Sequence, residues 1–223
     1  MPSGSLPKFE VVVVTPFQQN CSILWNQESR TGVVIDPGGD VPSILARLIE
    51  LDITVEAILL THGHLDHAGG VEELREALGP QPDGALVPVI GPDRRDGFLL
   101  SGIAEQAAMF GVTGMRDAKP DRLVEQGEVL ELAGRRLEVL LVPGHTPGHV
   151  VFFDRAARLL IAGDTLFAGS VGRTDFPPYG DGPLLIRSIK EKLLPLGDDV
   201  VVMPGHGAAT SIGEERRSNP FLR

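Results

Sequence analysis

The chain has 223 residues, 42% of them hydrophobic, which is enough for one substantial core and short for two full domains; a single domain over 1–223 is expected. Thirty acidic against 20 basic residues leave a net charge of −10, which argues against nucleic acid or an anionic membrane as a partner. A local cationic pocket for a small anion remains compatible with that balance. The lone cysteine, Cys21, excludes an intrachain disulfide and, lying beside apolar Ile23 and Leu24, reads as a small buried side chain in a reducing compartment. Residues 1–10 show no basic stretch followed by a long apolar run, and the apolar run 11–14 is far too short to span a bilayer. A cytoplasmic location is expected.

In chain order, short runs rich in Val, Ile, Leu and Phe predict strands at 9–14, 22–25 and 32–35. Val41, Ile44, Leu45 and Leu48 share one helical face and predict a helix over 41–51. A strand at 55–60, a helix at 70–78, a strand at 86–90 and a helix at 93–110 follow. Strands at 137–142, 150–154 and 158–162, a helix at 184–194 and a strand at 200–203 complete the series. The tight spacing of 150–154 and 158–162 suggests a hairpin, and the mixture suggests α/β sheets covered by helices. Periodicity by itself leaves a doubly wound sheet open.

Four of these apolar runs lead into residues that can bind metal. Leu59 and Leu60 precede Thr61 and His62; Val142 leads through Pro143 and Gly144 to His145; Ala162 leads through Gly163 to Asp164; Met203 leads through Pro204 and Gly205 to His206. Loops at one edge of a rigid sheet are where such residues converge on chemistry. The densest cluster is His62-Gly63-His64-Leu65-Asp66-His67. In an extended segment His62 and His64 point to the same side and can grip one ion, while a turn at Leu65 can aim Asp66 and His67 at a second. A lone histidine is ordinarily a surface or core side chain, but all six histidines here fall into the clusters His62/His64/His67, His145/His149 and His206.

Asp164, in Gly163-Asp164-Thr165, would by itself read as a turn or cap residue. Two dications about 3.5–4 Å apart need a bridging anion, and Asp164 is the natural candidate. Asp36 heads a Pro-Gly turn and is assigned to fixing that turn or backing a ligand.

With these residues in view, His62-Gly63-His64-Leu65-Asp66-His67, then His145, Asp164 and His206, the chain resembles the metallo-β-lactamase superfamily over nearly its whole length. Pro143-Gly144-His145-Thr146-Pro147-Gly148-His149, Gly163-Asp164-Thr165-Leu166-Phe167 and Val171-Gly172-Arg173-Thr174-Asp175-Phe176 are similar to the glyoxalase II (hydroxyacylglutathione hydrolase) branch, closest to its short, single-domain bacterial members. The resemblance implies a four-layer αββα sandwich, with no separate C-terminal glutathione-binding helical domain. It implies one metal on His62, His64 and His145, a second on Asp66, His67 and His206, and Asp164 bridging both. His149 is usually not a ligand in that family. Arg173 matches a position where the family places a cation near the glutathione peptide, with a plain surface arginine as the alternative reading. Phe176-Pro177-Pro178-Tyr179-Gly180 could wall the pocket or merely connect, and Tyr179 is not assigned a role.

The implied reaction is thioester hydrolysis, as of S-lactoylglutathione or a similar small acylthiol, by hydroxide that two divalent ions make available near neutral pH, with Asp66 orienting the nucleophile. Zinc is the first expectation, with iron or manganese able to occupy nitrogen and oxygen ligands of this kind. Rival readings on the same fold are a glutathione persulfide dioxygenase using a single iron, and a lactonase or other ester hydrolase.

Overall fold

The computed structural model describes residues 8–223; residues 1–7, read above for a targeting signal, lie outside the described part. A first sheet takes the order β1 (Lys8–Val14), β2 (Gln19–Trp25), β3 (Thr31–Ile35), β4 (Thr54–Leu59) and β5 (Val89–Ile90). Its first three strands run antiparallel, and β3, β4 and β5 are parallel. The second sheet is built from β6 (Val129–Leu132), β7 (Arg135–Leu141), β8 (Val150–Asp154), β9 (Leu159–Gly163), β12 (Val201–Pro204) and β13 (Thr210–Ser211), in the spatial order β13-β12-β9-β8-β7-β6. A small ribbon, β10 (Leu166–Phe167) with β11 (Ser170–Val171), follows β9.

Side chains alternate across the strands, and in β2, β3, β8 and β9 both alternating sets are buried. Val33 and Ile35 of β3, Ala57 and Leu59 of β4, and Val139, Val150, Phe152 and Ile161 of the second sheet form the core between the sheets. The opposite residues of the first sheet, Ile23, Val34 and Ile58, pack on α1 (Val41–Glu50), α3 (Val71–Leu78) and α5 (Ile103–Met109) through Ile44, Leu48, Leu74 and Ile103. Val151, Phe153, Leu160 and Val202 of the second sheet pack on α6 (Gly182–Ser188) and α7 (Ile212–Ser218) through Leu185 and Ile212. Three apolar layers between four layers of structure are the expected αββα sandwich. Strands buried on both faces read as continuous apolar runs, which is why no polar alternation marks them.

Several elements differ from the sequence expectation. The helix expected over 93–110 is broken into a 3-10 turn at Arg94–Asp96, α4 (Gly97–Leu100) and α5, because the Asp93 and Asp96 carboxylates take backbone N–H groups and Gly102 ends the turn before α5. The strand expected at 86–90 is only the two residues of β5, preceded by Pro88, which has no N–H to give a sheet. Strand β6 was not expected. It joins β7 through Ala133 and Gly134, both at positive φ (50° and 67°), a two-residue turn without the usual Asn-Gly or Asp-Gly signature. The helix expected at 184–194 is α6 running into a π turn at Ile189–Leu193. Among the described residues, no helix is long and apolar enough to cross a membrane.

Candidate metal centre

Strand direction brings the predicted residues to one edge. In the second sheet β7 and β9 both run antiparallel to β8, and β12 runs parallel to β9, so the C-terminal ends of β7, β9 and β12 share an edge. His145, Asp164 and His206 follow those three ends. His62 follows β4 of the first sheet, and the Val150 N–H donates to the Thr61 carbonyl at 2.8 Å, tying the two sheets together beside it. The turn expected at Leu65 is realised as the short helix α2 (Leu65–Ala68), which presents Asp66 and His67.

The seven predicted ligands meet in two overlapping groups. His64 Nδ1 lies 3.2 Å from His62 Nε2 and 3.0 Å from His145 Nε2. His206 Nε2 lies 3.2 Å from Asp66 Oδ2, and His67 Nε2 lies 4.0 Å from the same oxygen. Asp164 faces both groups: its Oδ1 is 3.3 Å from His67 Nε2, and its Oδ2 is 3.6 Å from His145 Nε2 and 3.5 Å from His206 Nε2.

The outer nitrogens explain how the inner ones are set. His145 Nδ1–H donates to the Arg173 carbonyl (2.7 Å), His206 Nδ1–H to the Phe17 carbonyl (3.1 Å) and His67 Nδ1–H to Asp36 (2.9 Å). The Thr61 hydroxyl donates to Asp36 at 2.6 Å, leaving its oxygen to accept from His62 Nδ1 at 3.0 Å. His64 Nε2 meets the Tyr179 hydroxyl at 3.0 Å. Such partners fix both tautomer and orientation of an imidazole, so the ring nitrogens turned inward carry lone pairs.

Electrostatics point the same way for His62, His64 and His145. Burial, with neighbouring imidazoles, holds His62 well below its ordinary pKa and lowers His64 to about 3; burial also lowers His145. These rings are neutral near pH 7, the state a metal ligand requires. Burial opposes ionisation of Asp164, yet His67, His145 and His206 hold it well below the usual carboxylate range. His67 differs: burial opposes its charge, but Asp164, Asp66 and Asp36 together raise its pKa, so a cation at this position would take the place of its proton. His67 Nε2 and Asp164 Oδ1 are buried without a hydrogen-bond partner. Converging lone pairs, anionic oxygens and orphaned inward atoms are together a donor set that fits divalent cations.

Three further residues are placed by the structure. Asp36, itself at φ 55°, touches His67 only through the outward nitrogen and so backs the ring. His149 stacks on His62 at 4.7 Å between centroids, and its Nε2 accepts the Asp164 N–H at 3.0 Å. Arg173 is on the rim, bidentate to Asp175 at 2.9 and 2.7 Å. Two contributors escaped the sequence reading. Tyr179 reaches His64 from a proline-rich loop, and buried Asp96 accepts from Gly63 N (3.1 Å), Thr146 Oγ1 (2.7 Å) and Gly148 N (2.6 Å), clamping two ligand-bearing loops. Only the Asp-x-x-Asp of 93–96 hinted at a turn there. Glycine is required at 205, where a Cβ would fall 2.1 Å from Asp164 Oδ1 and 2.6 Å from His67 Cε1.

A four-layer αββα sandwich with clustered histidines and aspartates at one sheet edge is the architecture of a metal-dependent enzyme. Residues 14–206 match the metallo-beta-lactamase superfamily, and the chain belongs to it. Over 214 residues it is 46% identical to the hydroxyacylglutathione hydrolase GloC of Haemophilus influenzae, covering 96% of this chain and 97% of that protein. Among solved structures it is similar to TTHA1623 in a di-iron-bound form (TM-score 0.82, 37% identity, 96% of this chain and 100% of that one). It is similar also to the BLEG-1 B3 metallo-beta-lactamase (TM-score 0.85, 34% identity, 96% and 99%).

Proposed function

We propose that this metallo-hydrolase is a dinuclear thioester hydrolase, cleaving S-lactoylglutathione or a similar acylthiol to a hydroxy acid and a free thiol. The observation that carries the reading is the position of Asp164, whose two oxygens face the His62/His64/His145 group and the Asp66/His67/His206 group at once. In this assignment the first group would hold one ion and the second group another, with Asp164 within reach of both. The relation to GloC, named for hydroxyacylglutathione hydrolysis, supports the substrate class. Bound ions of this kind lower the pKa of water and polarise an acyl carbonyl. The chain's own residues supply orientation: Asp66 directs the attacking water, and the outward hydrogen bonds keep five imidazoles from turning. A departing thiolate is stable enough to leave without a general acid. Zinc is the first expectation; the di-iron form of TTHA1623 supports iron as a second. The buried Cys21 suits a reducing compartment, the cytoplasm.

The test is hydrolysis of S-D-lactoylglutathione by purified protein, followed at the thioester absorbance with metal content measured on the same sample. Chelator-sensitive turnover, restored by zinc or iron, is expected. Two bound ions without turnover of any acylthiol would overturn the reading. Oxygen uptake with glutathione persulfide would then point to a dioxygenase. The likeness to BLEG-1 makes β-lactams the second substrate class to assay.

A further inference from the structure

The imidazoles turned toward the centre do not have equivalent outward partners. The carbonyls of Arg173 and Phe17 and the carboxylate of Asp36 can only accept, so the N–H groups of His145, His206 and His67 point at them. The Thr61 hydroxyl beside His62 has given its proton to Asp36 at 2.6 Å and is likewise fixed as an acceptor. Tyr179 differs. Its hydroxyl lies 3.0 Å from His64 Nε2 and has no other hydrogen-bond partner among the described residues, so this bond can run in either direction.

The inner nitrogen decides the direction. His64 Nδ1 faces His62 Nε2 at 3.2 Å and His145 Nε2 at 3.0 Å. With a cation held by these nitrogens, Nδ1 keeps its lone pair, the neutral ring carries its proton on Nε2, and the Tyr179 oxygen accepts it. The phenolic proton is then left without a protein partner. With no cation, Nδ1–H can donate to His145 Nε2, and Nε2 takes up the Tyr179 proton instead. Tyr179 also belongs to the wall of the cavity above the centre, about 780 Å³ in volume. Its half-buried ring stacks on Phe176 at 5.9 Å with the planes 15° apart, and Phe176 in turn packs on His64 at 5.0 Å. The segment is held in place: the Tyr179 and Gly180 N–H groups donate to the Phe176 carbonyl at 2.9 and 2.8 Å, and the Asp181 N–H donates to the Gly144 carbonyl at 2.8 Å, one residue before His145.

We propose that Tyr179 is a substrate-binding residue whose hydrogen-bond donor is released by the metal: it gives its proton to an oxygen of the substrate only when His64 Nδ1 is committed to an ion. The proposal rests on the thioester hydrolase reading for the class of ligand, a peptide thiol such as glutathione, whose amide and carboxylate oxygens are acceptors. Metal and substrate then strengthen each other's binding through one side chain, and protein without metal loses this hold on the substrate.

The experiment is calorimetry with S-hexylglutathione, an inert thioether, on wild type and Tyr179→Phe, each metal-loaded and chelator-treated. Phenylalanine keeps the ring of the wall and removes only the hydroxyl, and far-ultraviolet circular dichroism checks that all four samples share the fold. In the loaded state Tyr179→Phe is expected to weaken binding about fivefold, the worth of one hydrogen bond. In the chelator-treated state the loss should be less than about twofold, because there the phenolic proton already belongs to His64. Direct attraction between ion and ligand is common to both proteins and cancels in the comparison. Equal or larger weakening in the chelator-treated state, or none in the loaded state, would overturn the proposal, since a merely structural tyrosine would act alike in both. Absence of thioether binding to the loaded wild type would overturn it as well. The thioester hydrolase reading is decided separately, by chelator-sensitive turnover of S-D-lactoylglutathione.

Discussion

Every imidazole proposed as a ligand has one nitrogen turned outward to a partner and one turned into the cluster. Removing a single inward donor should therefore cost the reaction without costing the fold. His64→Ala is expected to lose bound metal and to lower kcat/KM more than about a hundredfold, with an unchanged far-ultraviolet circular dichroism spectrum. Full activity in that variant would sink the assignment. Gly205→Ala tests the same cluster by crowding, since its methyl group would sit 2.1 Å from Asp164 Oδ1. The expected result is loss of metal and about 1–3 kcal/mol of stability, read by metal analysis and urea unfolding. The donors were legible in the sequence because His62, His64, Asp66 and His67 are adjacent and the others follow apolar runs. Their partners were not. The Phe17 carbonyl against His206, and the Tyr179 hydroxyl against His64, are pairings across long stretches of chain that no local spacing announces.

Between elements, Asp96 holds the loop after β4 to the loop after β7. It is fully buried, and burial raises its pKa to about 6 against the pull of the Thr146, Gly148 and Gly63 hydrogen bonds. A carboxyl group raised in the fold favours the folded state most when protonated. Its contribution is thus present below the unfolded value near 4 and is lost as pH rises through about 6. In chelator-treated protein, the wild type should lose on the order of 3 kcal/mol relative to Asp96→Asn as pH is raised across that window. Parallel stability curves from urea unfolding at pH 4 and pH 7 would contradict this. Asn presents an amide donor to N–H groups that need an acceptor, so the variant should also unfold about 1–3 kcal/mol more easily at pH 4. The break in the helix expected over 93–110 has the same origin. Leu99, Leu100, Ile103 and Ala107 are buried at spacings that suit one helix, and only the distant partners of the Asp96 carboxylate show why it is interrupted.

Across the described residues, three apolar layers hold four layers of secondary structure, and the central strands of both sheets are buried on both faces. Continuous apolar runs located most strands, yet they could not distinguish this sandwich from a doubly wound sheet. The resemblance in the ligand motifs settled that expectation, and the observed sheet order agrees with it. The hairpin at Ala133 and Gly134 lay beyond both kinds of reading, because alanine at φ 50° is not what such a turn ordinarily displays. Ions that bind the folded chain alone should stabilise it by mass action. Free metal at about a thousandfold over Kd adds about 4 kcal/mol, or about 10 °C in the midpoint of thermal unfolding, and a chelator should remove it. An unchanged midpoint would show that the site does not bind in the folded state. In the proposed arrangement each ion also joins the two sheets, since His62, His64, Asp66 and His67 follow the first, and His145, Asp164 and His206 the second. A chain emerging from the ribosome presents the first four long before the others exist. Metal held at full strength would thus report that synthesis has passed His206: no fragment ending before that residue carries the whole donor set, and the proposed centre is complete only when β12 has docked beside β9.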